Sequence, residues 1–139
     1  MKKKNPPKVE LTIPIIHDME LAATKTAEVV AKHMGLSEEQ SDEISMALIE
    51  ACINAFEHSK TKNKNIEIHF VIQGETLVIT VTDHGKGFDK SKVEIPNITE
   101  KLTSGVKRGW GLHLIQELMD TVEFESTEDG TTVRMTKNK

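Results

Sequence analysis

Between Ser37 and Val81 the apolar residues of this chain change period once, and that change limits the folds open to it. Ile44, Ala47, Leu48, Ala51 and Ala55 recur at helical spacing. Ile66, Ile68, Phe70 and Ile72, then Leu77, Ile79 and Val81, recur at every second residue. A helix with one apolar stripe, followed by two strands with one apolar row each, buries itself only by packing helix on sheet. Ser37-Glu38-Glu39-Gln40 is a capping box that starts the helix, which runs to about His58. Gly74-Glu75 between the two strands predicts an antiparallel hairpin, the second strand of which ends at Asp83.

The flanking segments extend this pattern. Val9, Leu11 and Ile13 have strand period behind an Asn5-Pro6-Pro7 lead-in, so residues 1–8 are expected to form a disordered basic tail and 9–139 one domain. From Asp18 to Met34, Ala23, Ala27, Val30 and Met34 predict a first helix, with Gly35 placed to end it. Lys60 to Asn65 reads as a polar turn. Residues 84–108 show little periodicity and carry glycines, Pro96 and several lysines; a loop that long in a small domain is usually functional, commonly a lid. Helix period returns over Gly109 to Asp120 through Leu112, Ile115 and Met119. Val122 and Phe124, a Glu128-Asp129-Gly130 turn, and Thr131, Val133 and Met135 complete the chain as two strands. The order β-α-α-β-β-lid-α-β-β predicts an α+β two-layer sandwich, a mostly antiparallel sheet with helices on one face.

Composition removes several function classes. Eighteen Lys and Arg against 22 Asp and Glu give a formal charge of −4, which argues against a dedicated nucleic-acid binder, and Lys2-Lys3-Lys4 reads as a solvated tail. No run approaches the ~20 apolar residues of a membrane span, and the short Leu11 to Ile16 stretch is no signal-peptide core, so a cytoplasmic protein with no membrane contact is expected. Cys52 is the single cysteine and reads as a small buried thiol. The histidines show no zinc-ligand spacing.

Three segments carry candidate chemistry. Glu50 and Asn54 stand four residues apart on the second helix, an acid above an amide, in a polar stripe with Glu43 and Glu57. Asp83-His84-Gly85-Lys86-Gly87-Phe88 puts a carboxylate at the end of an apolar strand before two glycines that let a flat ligand approach the backbone; Asp-x-Gly is equally a common turn. Arg108-Gly109-Trp110-Gly111-Leu112 opens a helix with two glycines behind a basic pair, Lys107 and Arg108, a pattern suited to phosphate or simply to a flexible hinge.

Taken together and in this order, the segments resemble the GHKL ATPase superfamily of gyrase, heat-shock chaperone, histidine kinase and mismatch-repair ATPases, over nearly the whole chain from Val9 to Lys137. Glu50 to His58 resembles the asparagine box, Asp83 to Phe88 the first glycine box, Gly109 to Leu112 the second, and Gly130-Thr131-Thr132-Val133 the terminal Gly-Thr strand. The short chain and the Glu-Ala-x-x-Asn-Ala-x-x-His pattern are most similar to the anti-sigma-factor serine kinases of the sporulation and general-stress type. The resemblance implies ATP and Mg²⁺ as cofactors, with residues 84–108 as an ATP lid. Asn54 would coordinate the metal. Asp83 would accept from the adenine amino group, with Thr131, in phase with Val133, supporting that contact through water. Gly87 would give room for the base, and Gly109, Gly111 and the N–H groups that follow would hold the phosphates; Gly85, Trp110 and Leu112 would belong to the same nucleotide site, with Trp110 covering the nucleotide or packing under the lid. Arg108, or Lys107 in competition with it, would reach the γ-phosphate. Glu50 would be the catalytic base. The implied partners are a small anti-sigma antagonist carrying the acceptor serine, a sigma factor or other regulator, and a second copy of the chain packed through the sheet side. Two other readings remain open on the sequence: the ATP-binding half of a histidine kinase, and a non-catalytic nucleotide-gated binding module.

Overall fold

A computed structural model describes residues 6–58, 65–83, 113–127 and 130–139. Its elements are β1 (Lys8–Pro14), α1 (Glu20–Met34), α2 (Glu38–His58), β2 (Asn65–Gln73), β3 (Thr76–Asp83), a helical stretch over 113–118, β4 (Thr121–Thr127) and β5 (Gly130–Asn138). The strands form one sheet in the order β1-β2-β3-β5-β4, and all four neighbouring pairs are antiparallel. Both hairpins, β2–β3 and β4–β5, are therefore built from consecutive strands, and β5 rather than β4 lies against β3.

Local chemistry accounts for the helix boundaries. At the start of α2 the Gln40 N–H donates to Ser37 Oγ and the Ser37 N–H donates to Gln40 Oε1, each at 3.0 Å, the reciprocal capping box read from the sequence. Gly35 ends α1 in the left-handed region at φ 79°, and the Gly35 and Leu36 N–H groups donate back to the Lys32 and Ala31 carbonyls. The beginning of α1 differs from the expected Asp18. Asp18 itself sits at φ 76°, and the helix starts at Glu20 behind Met19, which makes no side-chain cap. An aspartate tolerates that left-handed geometry better than most residues, so the position before the helix became a turn.

The sheet has one covered face. Inward rows Ile66, Ile68 and Phe70 of β2, Leu77, Ile79 and Val81 of β3, and Val133 and Met135 of β5 are buried beneath Ala23, Ala27 and Ala31 of α1 and Ile44, Ala47, Leu48 and Ala51 of α2. Alanines on both helices bring their axes close to the strands. The other face carries Glu10, Glu67, His69, Thr80, Thr82, Thr132 and Arg134, with His69 Nε2 at 3.7 Å from both Glu10 and Glu67 across the strands. Two expected core residues stand on the sheet edges: Val9 of β1 is 41% exposed and Phe124 of β4 is 45% exposed. Among the described residues no helix is long and apolar enough to cross a membrane.

Cys52 is buried within this core, as its neighbours in the sequence suggested. Burial first, and the Glu20 carboxylate second, push its thiol from the ordinary 9.0 up to about 12. Because the folded thiol holds its proton more tightly than the unfolded one, the associated stability is complete below pH 9.0 and is lost as the pH rises toward about 12. Native protein at pH 8 is expected to resist alkylation by iodoacetamide and to react at the rate at which it unfolds. In urea denaturation, Ser37→Ala is expected to cost about 1 kcal/mol through loss of the α2 cap, with no change in the native spectrum.

Candidate functional site

The inward rows are apolar with few exceptions, and the exceptions mark the site. Asp83, the last residue of β3, is 1% exposed, and Thr131, the second residue of β5, is 6% exposed; on α2, Asn54 is 7% exposed. Asp83 and Thr131 are direct partners in the β3–β5 register, so the carboxylate and the hydroxyl sit side by side on the covered face. The alternation that turned Val133 and Met135 inward turned Thr131 inward with them and left Thr132 only half-buried. Thr132 reaches Thr82 on the opposite face instead, with their hydroxyl oxygens 3.4 Å apart.

A contact at the far end of α2 fixes how the helix lies along the sheet. Lys137 Nζ of β5 is 2.8 Å from Glu43 Oε1 of α2, and Lys137 is the register partner of Leu77 at the beginning of β3. Asn54 lies eleven residues beyond Glu43, about 17 Å along a helix, while Asp83 lies six residues beyond Leu77, about 20 Å along a strand. Measured from that one contact, the two spans are of nearly equal length. Glu50, one turn before Asn54 on α2, is half-buried, and Glu57 is exposed.

Asn54 Nδ2 is buried and has no hydrogen-bond partner among the described residues. Leaving a buried amide donor unsatisfied costs about 1–3 kcal/mol, so Nδ2 calls for a partner beyond the described residues, whether protein, water or ligand. The same amide offers an oxygen of the hard type that Mg²⁺ takes alongside phosphate oxygens and waters. Among the described residues no group of three or more His, Cys, Asp or Glu is gathered that could cage a metal. The Asn54 side-chain oxygen would suit an ion held mainly by a bound triphosphate.

Of the site residues read from the sequence, Asp83 and Thr131 are register partners on the covered face, Asn54 is buried on α2 and Glu50 is half-buried one turn before it. Gly85, Gly87, Lys107, Arg108, Gly109, Trp110, Gly111 and Leu112, with the lid at 84–108, lie outside the described residues. One pair was read differently. Glu43 was grouped with the polar stripe of α2, yet it makes an ion pair with Lys137, which is only 7% exposed. The signal was available: Lys137 occupies the inward phase set by Thr131, Val133 and Met135, where a charge needs a partner.

Comparison with known proteins agrees with this geometry. Residues 17–137 match the histidine kinase-like ATPase domain. The serine-protein kinase RsbW of Bacillus subtilis (strain 168) is 31% identical to the chain, over 97% of this chain and 88% of the relative. RsbW of Bacillus cereus (strain Q1) is 33% identical over 94% of this chain and 84% of the relative. Among solved structures, the RsbU and RsbW domains of a Mycobacterium tuberculosis protein superpose with a TM-score of 0.72 at 17% identity, covering 95% of this chain and 32% of that one. The SiaB–SiaC complex of Pseudomonas aeruginosa matches with a TM-score of 0.63 at 7% identity, covering 92% of this chain and 88% of that one. These structures share the fold. The match to the domain over most of the chain, and the identity to RsbW over nearly all of it, place this protein in the histidine kinase-like ATPase domain family, in the branch of the RsbW serine-protein kinases.

Proposed function

We propose that this protein is an ATP-dependent protein serine kinase that phosphorylates a small anti-sigma antagonist and sequesters a sigma factor or similar regulator. The observation that carries the reading is the buried Asp83–Thr131 pair on the covered face, with Asn54 buried on α2. The relatives' designation as serine-protein kinases supports serine as the acceptor.

In this reading the Asp83 carboxylate accepts a hydrogen bond from the adenine amino group, and Thr131 holds a water against the same edge of the base. Gly85 and Gly87 leave room for the ring. Gly109, Trp110, Gly111 and Leu112 line the phosphates, and Arg108 or Lys107 reaches the γ-phosphate. Asn54 holds Mg²⁺, which when bound neutralises charge on the phosphate oxygens. Glu50 takes the proton from the partner's serine hydroxyl as the serine oxygen bonds to the γ-phosphorus. The bond from that phosphorus to the β–γ bridging oxygen breaks, and ADP leaves. Most of the rate enhancement then comes from alignment and charge neutralisation. A homodimer through the open sheet face, and action in the cytoplasm, belong to the same proposal.

Wild-type protein given γ-labelled Mg-ATP and an extract of its source cell is expected to label a small protein on serine, with an acid-stable bond. Glu50→Ala is expected to lower that transfer by roughly a hundredfold or more, the size of a general-base contribution, with ATP affinity kept within about twofold. An acid-labile phosphohistidine product would favour the histidine-kinase half, and absence of Glu50-dependent transfer with ATP binding intact would favour the nucleotide-gated module. Asp83→Asn, which turns one acceptor oxygen into a donor, is expected to weaken ATP binding roughly ten- to a hundredfold by calorimetry.

A further inference from the structure

The open face of the sheet carries titratable groups that the nucleotide chemistry does not use. Strand register sets its side chains in transverse rows, and one row takes Glu10 from β1, His69 from β2, Thr80 from β3, Arg134 from β5 and Glu123 from β4. Val71 and Val78 are register partners in the next row, where Val78 is only 5% exposed although it points away from the helices. Valine and threonine thus fill the middle of the face and charges stand toward its two edges, the arrangement of an apolar core inside a polar rim.

At the β1–β2 edge the charges are joined. His69 Nε2 lies 3.7 Å from Glu10 Oε2 and 3.7 Å from Glu67 Oε1, and Lys8 Nζ lies 3.0 Å from the same Glu10 oxygen. The Lys8 ammonium, by hydrogen bond and by charge, holds the Glu10 carboxyl below its usual value, and His69 adds a smaller lowering. The β3 residues that face His69 are uncharged: Thr80 beside it, with Val78 and Thr82 in the rows to either side. Arg134 stands two strands away, about 10 Å, and its own neighbour is Glu123, at 4.0 Å.

A two-fold homodimer through this face brings the same patch of both copies together. With the axis along the strands, β1 lies over β4 of the second copy and Glu10 over Glu123, acid on acid. With the axis across the strands, β1 lies over β1 in the opposite direction, and Lys8 of each copy can meet Glu10 of the other. The second arrangement gathers the β1–β2 edges of both copies. With His69 neutral, the carboxylates of this cluster outnumber its ammonium groups two to one; with His69 charged, acids and cations are equal in number. We propose that His69 is a pH-responsive positioning residue of the homodimer face: its imidazolium, held between Glu10 and Glu67, balances the charge gathered there, so the dimer tightens as the pH falls. The inference rests on the homodimer reading above. Association that takes up protons strengthens as the pH falls, and histidine is the side chain whose ordinary charge change lies between about pH 5 and 8.

The test is the dimer dissociation constant of the full chain, measured by sedimentation equilibrium at about pH 8 and about pH 5.5 with the ionic strength held constant. Wild-type protein is expected to dimerise about tenfold or more tightly at the lower pH, the scale of one modest ion pair from each copy. His69→Gln, which hydrogen-bonds but never charges, is expected to give constants within about twofold of each other at both pH values, near the weaker wild-type value. His69→Lys, charged at both, is expected to be equally insensitive to pH and to lie near the tighter value. Either variant decides the matter should the other not fold. A wild-type constant that does not change with pH, or a response that survives in the variants, would overturn the inference while leaving the homodimer standing. Wild-type protein that stays monomeric at both pH values would overturn both.

Discussion

A sheet covered on one face gives each strand a single inward row, and any polar side chain in that row must be matched by a partner or a ligand. The rest of this structure follows from that constraint. The inward rows of β2, β3 and β5 are aliphatic or aromatic for most of their length and turn polar at the ends, at Asp83 and Thr131 on one side and at Lys137 on the other. Lys137 is matched internally by Glu43 and the Leu118 carbonyl. The Lys137 end of the sheet is thus closed by its own charges. On α2, Asn54 Nδ2 is buried with no hydrogen-bond partner among the described residues.

The second helix makes the two ends communicate. Its alanine-rich stripe keeps it close to β3, its capping box fixes its beginning, and the Glu43–Lys137 contact fixes its register along the sheet. From that contact, helical rise carries Asn54 about 17 Å along α2, close to the length of β3 from Leu77 to Asp83. A side chain placed by regular secondary structure at both ends needs little further ordering when a ligand arrives, which suits a reaction dependent on alignment.

What could be read from the sequence was what local spacing determines. The capping box was legible because Ser37 and Gln40 satisfy each other within one turn, and the inward phase of Thr131 because strand alternation admits no other. Asp83 as a strand end, and Asn54 and Glu50 on one helix face, followed from the same periods. Lateral relations were not legible. Alternation says which way a strand faces and nothing about its neighbour, so the insertion of β5 between β3 and β4 had no local signal. Val9 and Phe124 kept the inward period but stand on edge strands, where the helices cover less. The Glu43–Lys137 pair spans most of the chain, and on α2 alone Glu43 is indistinguishable from a solvated glutamate. The start of α1 was misplaced by the left-handed Asp18, a backbone choice with no counterpart in hydrophobic period.

The central claim is that Asn54, Asp83 and Thr131 form one nucleotide site at one end of the sandwich. Backbone amide spectra recorded while Mg-ATP is titrated into the isotopically labelled protein test it most directly. The account predicts that the largest shifts among the described residues fall at Asn54, Asp83 and Thr131 and their chain neighbours, with Glu10, His69 and Arg134 on the open sheet face unmoved. Shifts centred on that open face, or spectra unchanged at saturating Mg-ATP, would contradict it.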